Sequence, residues 1–196
     1  MLRGVRVVLG QMGRLELDNL VEFFRISGRL KRVPRSGWVE VGVTSPESVA
    51  DHTFRTAVLC MIYSDLESLD GSKMLRMALI HDLPEVITGD LTPSKKTGKP
   101  KESEDAAMKQ LLGLLPRRLR ERYLQIWLEY VECKTKEAKA VRELDKLEMA
   151  LQAKEYKKAQ PPPSGLERFV ESADRVVTSP GVRKLLSSII DSSVEV

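Results

Sequence analysis

Apolar residues recur at helical spacing along almost the whole chain, and this periodicity limits the possible fold more than any other feature of the sequence. One such stripe consists of Val141, Leu144, Leu147 and Leu151. Strand signals are weak and confined to residues 5–9 and 38–43. A chain of 196 residues with 42% apolar side chains can build one core of ordinary size. The sequence therefore predicts an all-α, single compact bundle of about seven to eight helices.

Helix boundaries are predicted from capping residues, prolines and glycines. Asp18 is the candidate cap of the first helix, and Ser45 followed by Pro46 predicts the start of the second. The third helix is predicted from Ser72 to near Gly89. The later helices are predicted over residues 102–114, 116–132, 135–158, 165–173 and 181–190, after a loop over 91–100.

Charge and composition exclude several classes of function. The 32 basic and 28 acidic residues give a net charge of +4, and the basic clusters are interleaved with acids and contain few aromatic residues. Because single-stranded nucleic acids are bound by basic grooves with stacking rings, we expect no nucleic-acid polymer as a partner. No apolar run reaches the roughly 18 residues of a membrane span, and the apolar run at 7–9 is too short for a secretory signal. We therefore expect a cytoplasmic protein, in which Cys60 and Cys133 are buried thiols.

Both histidines of the chain, His52 and His81, lie within apolar helical stretches. Asp82 follows His81 directly, and Glu85 stands four residues after His81, on the same face of a helix. Asp145 borders the apolar stripe of a later helix, where burying a carboxylate is costly unless it is paired or binds a metal. The spacing alone is compatible with two hydrogen-bonded core histidines and an ordinary ion pair, or with one metal site.

Three sequence blocks carry a resemblance to a known family. They are Glu47 to His52 (ESVADH), Ala78 to Asp90 (ALIHDLPEVITGD) and Leu144-Asp145, with Trp38 fourteen residues before His52. Over roughly residues 17–186 the chain resembles the HD-domain metal-dependent phosphohydrolase superfamily. Within it the chain is most similar to the 5'-deoxynucleotidases, which act on deoxyribonucleoside 5'-monophosphates. The resemblance implies an HD-domain helical bundle, a nucleotide substrate and a homodimer.

The resemblance also implies a role for individual residues. One divalent ion, with Mn, Co, Fe, Ni, Zn and Mg not distinguished, would be held by His52, His81, Asp82 and Asp145. Glu85 would orient or deprotonate the attacking water, and Asp90 would protonate or position the departing oxygen; alternatively, this pair holds a second ion. The substrate would contact Arg35, Trp38, Asp90, Leu91, Thr92 and Pro93. From the residues alone, Trp38 is equally readable as a core aromatic and Arg35 as a solvated charge.

Two features depart from the family pattern. Gly37 stands directly before Trp38, where the bacterial pattern has an arginine, so that Arg35 is the nearest arginine. Other candidates for the phosphate contact are Arg29, Arg32, Lys95 and Lys96. Residues 1–14 have no counterpart, and we expect an N-terminal arm there, followed by one phosphohydrolase domain over 15–196.

Two alternatives remain open for the function. The same metal ligands serve other phosphohydrolases of the superfamily, so the substrate could be a cyclic dinucleotide, an alarmone or a triphosphate. The second alternative is a non-catalytic interaction module. The intact set of candidate catalytic and metal-binding residues argues against it. Four apolar residues of the last helix can pack either inside or against a partner: Leu185, Leu186, Ile189 and Ile190.

Overall fold

A computed structural model of the chain describes residues 9–92, 95, 100–158 and 161–191. Within these ranges the secondary structure is helical, and the predicted all-α class is confirmed. The helices are α1 (Arg14–Ser27), α2 (Ser36–Glu40), α3 (Val49–Glu67), α4 (Gly71–Ile80), α5 (Glu85–Thr88), α6 (Pro100–Leu112), α7 (Arg117–Glu132), α8 (Lys136–Tyr156), α9 (Glu167–Val176) and α10 (Pro180–Asp191), with short 3-10 segments at Leu9–Gln11 and Gly28–Arg32. The bundle exceeds the expected seven or eight helices because α2 and α5 are additional short helices.

Helix α8 is the central element of the bundle, because it packs against α3, α4, α7, α9 and α10. Its inward faces carry small alanines and three leucine or valine side chains, which allow the neighbouring helices to approach closely. The same helix also buries three carboxylates, Glu143, Asp145 and Glu148. Since charged groups are almost never buried without partners, α8 must place each of them against a specific neighbour.

The predicted starts of α1 and α3 were displaced by a few residues. Helix α1 begins at Arg14 with Gly13 as its N-cap, one turn before Asp18. Helix α3 is capped by Ser48, not by Ser45, because the Ser48 hydroxyl accepts from the Asp51 backbone N–H while the Asp51 carboxylate accepts from the Ser48 N–H. This reciprocal capping box places His52 in the first turns of the helix.

The third helix was predicted too long, since α4 ends at Ile80 instead of continuing to Gly89. Pro84 explains the break, because its ring clashes with the carbonyl four residues earlier and it has no N–H to donate. A turn over residues 81–84 follows, and α5 then runs only to Thr88 before Gly89 adopts a left-handed φ of 73°. His81 and Asp82 therefore project from the end of a helix and not from its middle.

The weak strand signal at 38–43 was also wrong, because residues 36–40 form α2. The described residues contain a single isolated bridge, between Pro34 and Ser48. No helix in the described part of the chain combines the length and the apolar character needed to cross a membrane. The division into an arm over 1–14 and a domain over 15–196 stays a prediction, and residues 1–8 lie outside the described ranges.

Candidate active site

Three separate helices bring both histidines and two aspartates to one point. His52 comes from α3, His81 and Asp82 from the turn after α4, and Asp145 from the middle of α8. His52 Nε2 lies 3.1 Å from Asp145 Oδ1 and 3.7 Å from Asp82 Oδ2. His81 Nε2 lies 3.2 Å from Asp82 Oδ2, and the two imidazole centroids are 5.5 Å apart. Ligand atoms of His52, His81 and Asp82 are close enough together to bind one ion.

In each imidazole, Nδ1 faces away from the centre and already contacts an oxygen. His81 Nδ1 lies 2.6 Å from the carbonyl oxygen of Ala78, which can only accept, so Nδ1 carries a hydrogen and Nε2 is the nitrogen that faces the centre. His52 Nδ1 lies 2.5 Å from Glu148 Oε2, and Glu148 is itself fixed by Arg55 Nε at 2.9 Å. Both Nε2 atoms are buried without a hydrogen-bond partner. Such orphaned, oriented nitrogens are what a metal-ligating histidine requires.

The charges around this point favour a cation. Burial acts to raise the pKa of Asp82, but His81 and Arg35 outweigh it and the pKa is lowered. Burial likewise opposes ionisation of Asp145, yet Lys146 and His52 hold its pKa well below the usual range. Burial and Arg35 lower the pKa of His52, but Asp145 and Glu148 raise it to about 9. An ion that binds His52 Nε2 therefore displaces a proton from it.

Arg35 links this centre to the two further candidate carboxylates. Its Nη1 lies 3.0 Å from Asp82 Oδ2 and 3.9 Å from both Glu85 Oε2 and Asp90 Oδ1. Burial lowers the pKa of Arg35, but the surrounding carboxylates outweigh it and raise the pKa, so the guanidinium stays charged. The Asp90 carboxylate also accepts from the Ser36 backbone N–H at 2.6 Å. The chain after Gly89 is thus tied to the first turn of α2.

A cavity of about 850 Å³ opens over these carboxylates. Its wall includes Arg35, Trp38, His81, Asp82, Glu85, Asp90, Leu91, Thr92, Asp145 and Lys146. A volume of this size lies within the range of small-molecule sites. Pro93, the remaining predicted contact, lies outside the described residues.

Trp38 reaches this cavity only with part of its surface, because the side chain is 1% exposed. Its indole packs on Phe169 at a centroid distance of 3.9 Å and edge-on against Tyr156 at 5.2 Å. The indole N–H donates to Glu47 Oε1 at 2.9 Å. Trp38 is therefore chiefly a core residue of the second apolar cluster, and its accessible edge forms part of the cavity wall.

Three residues around the site had no role in the sequence-based prediction. Glu148 was not a candidate, although its position three residues after Asp145 places it on the same face of the helix. Tyr130 packs edge-on against the His81 ring at 5.7 Å, and Lys146 Nζ lies 3.1 Å from Asp145 Oδ2. Only the three-dimensional packing reveals the Tyr130 contact, since no local pattern marks it.

Comparison with known proteins identifies the family of the chain. The model of the HD domain family matches residues 27–182, and the chain belongs to this family. It is 40% identical to the 5'-deoxynucleotidase HDDC2 of Bos taurus over 173 residues, which cover 87% of this chain and 84% of the relative. The HDDC2 of Mus musculus is 41% identical over 172 residues, with 87% and 86% covered. A solved structure of a conserved hypothetical protein from Pyrococcus furiosus is 31% identical, with a TM-score of 0.74 and coverage of 88% of this chain and 99% of that one.

Replacing Glu148 by glutamine should weaken metal binding, because the carboxylate that orients the His52 ring loses its charge. Outer partners of this kind change metal affinity by about 10- to 100-fold, and we expect a rise of that size in the dissociation constant for Mn²⁺. Calorimetric titration of the chelator-treated protein measures it. Glu155→Gln is the matched control, since Glu155 contacts the same Arg55 from the same helix but stands 47% exposed. Equal constants for the two variants would contradict the role of Glu148.

Proposed function

We propose that this chain is a metal-dependent 5'-deoxynucleotidase, which hydrolyses deoxyribonucleoside 5'-monophosphates to deoxynucleoside and phosphate. The observation that carries the proposal is the pair of buried Nε2 atoms of His52 and His81, which face Asp82 and Asp145 and have no hydrogen-bond partner. The activity named for the HDDC2 relatives supports the same conclusion.

His52, His81, Asp82 and Asp145 would hold the divalent ion. Two imidazoles and two carboxylates form a mixed nitrogen and oxygen donor set, which suits Mn²⁺, Co²⁺, Fe²⁺, Ni²⁺ or Zn²⁺ without selecting one, and Mg²⁺ is a further candidate. When bound, such an ion supplies a water of lowered pKa and a Lewis acid for the phosphoryl oxygens.

Glu85 and Asp90 would carry out the proton transfers. Glu85 begins α5 at the rim of the centre, and it would accept the proton of the attacking water. Asp90, held by Ser36 and close to Arg35, would position or protonate the departing oxygen of the sugar. In the alternative arrangement this pair holds a second ion.

The nucleotide would occupy the cavity beside these residues. Arg35 would orient the phosphate, because its guanidinium lies in the cavity wall and stays charged. Trp38, although only 1% exposed, forms part of the cavity wall, and there it would lie beside the sugar and disfavour a 2'-hydroxyl. Asp90, Leu91, Thr92 and Pro93 would line the nucleotide on its other side; the Thr92 hydroxyl donates to Glu40 Oε1 at 2.6 Å and so fixes this segment to α2.

We also propose a cytoplasmic homodimer. A reducing compartment is consistent with the free thiols of Cys60 and Cys133. The last helix offers a smaller apolar surface for pairing, since Leu186 is fully buried and Ile189 packs on the core, while Leu185 and Ile190 are 41% and 39% exposed. Instead, the outer face of α3 carries a stripe at helical spacing of Phe54, Val58, Met61, Ile62 and Leu66, which are 37–74% exposed. Contiguous exposed apolar patches of this kind mark interaction sites, and two copies of α3 can pair across a two-fold axis.

Purified protein with Mn²⁺ or Co²⁺ should release phosphate from deoxyribonucleoside monophosphates faster than from their ribo counterparts. Asp82→Asn should abolish both turnover and bound metal, because it removes the charge of a proposed ligand. Asp65→Asn, an exposed position on α3, is the control and should behave as wild type. Phosphate release and elemental analysis measure the two properties. Turnover confined to triphosphates, alarmones or cyclic dinucleotides would refute the proposed substrate, and a protein that binds no metal would favour an interaction module.

Glu85→Gln should lower kcat by about 10²- to 10⁴-fold with little change in KM, because a general base contributes by this amount and does not anchor the substrate. The control is Glu104→Gln, which changes another carboxylate in the cavity wall. Steady-state kinetics separate the two constants, and metal analysis decides between the two roles of Glu85. Loss of one of two bound ions would show that Glu85 is a ligand, while full activity would show that it is dispensable.

The homodimer is expected to have twice the 22.1 kDa mass of one chain in light scattering. Introducing two charges into the α3 stripe, in the double variant Phe54→Glu and Ile62→Glu, should shift the mass to that of one chain because each charge would have to be buried in the interface. Leu128→Glu is the control, since Leu128 is 41% exposed but lies on α7. A dimer that survives the double variant would place the interface elsewhere.

A further inference from the structure

Lys146 is a charged residue of the cavity wall to which the proposed mechanism assigns no role. It follows Asp145 on α8, and its Nζ lies 3.1 Å from Asp145 Oδ2. Its side chain is 28% exposed, although most lysines extend into solvent. The aliphatic part runs along Met149, whose Sδ is 3.5 Å from Nζ. Lys146 is therefore folded towards the candidate metal centre and opens into the cavity.

The donor capacity of Lys146 exceeds the contacts that the structure gives it. An ammonium group has three N–H donors, and one of them serves Asp145. The thioether of Met149 is a weak acceptor and can be exchanged for a stronger one. The ammonium can thus keep its bond to Asp145 and donate to a second anion in the cavity.

The neighbouring cations are more fully engaged. Arg142, one turn earlier on the same face of α8, lies over the Tyr130 ring at 5.5 Å and donates to the Tyr130 carbonyl. Arg35 shares Nη1 among Asp82, Glu85 and Asp90. Arg168 donates to Glu40 and to the Gly37 carbonyl. Among the described cations that contact a carboxylate of the candidate metal centre, Lys146 has Asp145 as its single carboxylate partner, whereas Arg35 has three.

The formal charges around the centre are a second, independent reason to expect that Lys146 contacts an anion in the cavity. With a divalent ion bound, its charge and that of the Arg35 guanidinium would leave one negative charge in excess against the carboxylates of Asp82, Glu85, Asp90 and Asp145. A phosphomonoester dianion would be repelled by such a centre. Lys146 cancels the excess, and it does so beside Asp145 of α8, whereas Arg35 lies beside Asp82.

On the basis of the proposed function, we propose that Lys146 binds the phosphate of the substrate. Its ammonium donates to a phosphoryl oxygen while it remains bonded to Asp145 Oδ2, so that the phosphate is held between Lys146 and Arg35. The recognised chemistry is a phosphomonoester dianion, and inorganic phosphate, the product, should use the same contact.

The experiment compares Lys146→Gln and Lys146→Arg with Lys139→Gln, which removes the same charge from an exposed position of the same helix. With Mn²⁺ saturating, we expect Lys146→Gln to raise both the KM for a deoxyribonucleoside monophosphate and the inhibition constant of inorganic phosphate by about 10- to 100-fold, the size of one hydrogen bond to a charged group. Inhibition by the free deoxynucleoside, which has no phosphate, should not change. Lys146→Arg should recover most of the phosphate affinity, and Lys139→Gln should match wild type.

A role confined to balancing Asp145 would give a different result. In that case Lys146→Gln would change the dissociation constant of Mn²⁺ and leave phosphate inhibition unaltered, which would overturn the proposal. Calorimetric titration of inorganic phosphate into the Mn²⁺-loaded protein tests Lys146 without turnover. If wild type cleaves no monophosphate, the proposed function fails, yet a loss of phosphate binding in Lys146→Gln alone would still support the contact. Lys146→Arg keeps the positive charge and so controls for misfolding of Lys146→Gln. If Lys146→Arg is folded but binds phosphate as weakly as Lys146→Gln, that result also contradicts the proposal.

Discussion

The burial of carboxylates on α8 is the constraint on which the rest of the structure depends. An ion removed from water costs several kcal/mol unless its partners are well placed, and breaking a buried pair typically costs about 3–5 kcal/mol. Glu143 is satisfied by the backbone N–H groups of Thr178 and Ser179, at the start of α10. Glu148 is satisfied by His52 and Arg55 of α3. These partners allow only one register of α8 against its neighbours, and that register also sets the position of Asp145.

The remaining carboxylates of the site follow from the same arrangement. Asp82, Glu85 and Asp90 lie near one arginine, and Ser36 and Glu40 of α2 fix the segment that follows Gly89. Arg168 of α9 also binds Glu40, at 3.1 Å, so that α2, α9 and the segment after α5 meet at the cavity rim. The wall that would contact the nucleotide is therefore assembled from distant parts of the chain. Its cohesion depends on ion pairs and hydrogen bonds more than on apolar contacts.

Much of this could be predicted from the sequence, because the strongest signals are local or belong to the family pattern. The helical periodicity indicated the all-α class, and the rarity of histidine on apolar helices made His52 and His81 candidates. The break at Pro84 was missed because the apolar spacing continues through it, although a proline inside a helical pattern is itself a stop signal. Ser45 was preferred to Ser48 because Pro46 resembles a first helical residue, and the reciprocal bond with Asp51 was overlooked.

What could not be predicted depends on contacts between distant residues. Trp38 is buried by Tyr156 and Phe169, more than a hundred positions along the chain, and nothing near Trp38 in sequence indicates this. Glu148 meets His52 across 96 positions. The orientation of each imidazole is likewise set by tertiary structure, since it depends on which oxygen lies behind the ring.

The oxygen that contacts Nδ1 of His52 and the oxygen that contacts Nδ1 of His81 belong to different chemical groups. The two imidazoles are therefore unequal as electron donors to a metal ion. The ring of His81 is backed by a neutral amide carbonyl, whereas the ring of His52 is backed by a carboxylate. A carboxylate draws the Nδ1 hydrogen towards itself and raises ligand basicity, which lends the far nitrogen of His52 some imidazolate character. A metal ion held by both rings would therefore receive more electron density from His52 than from His81.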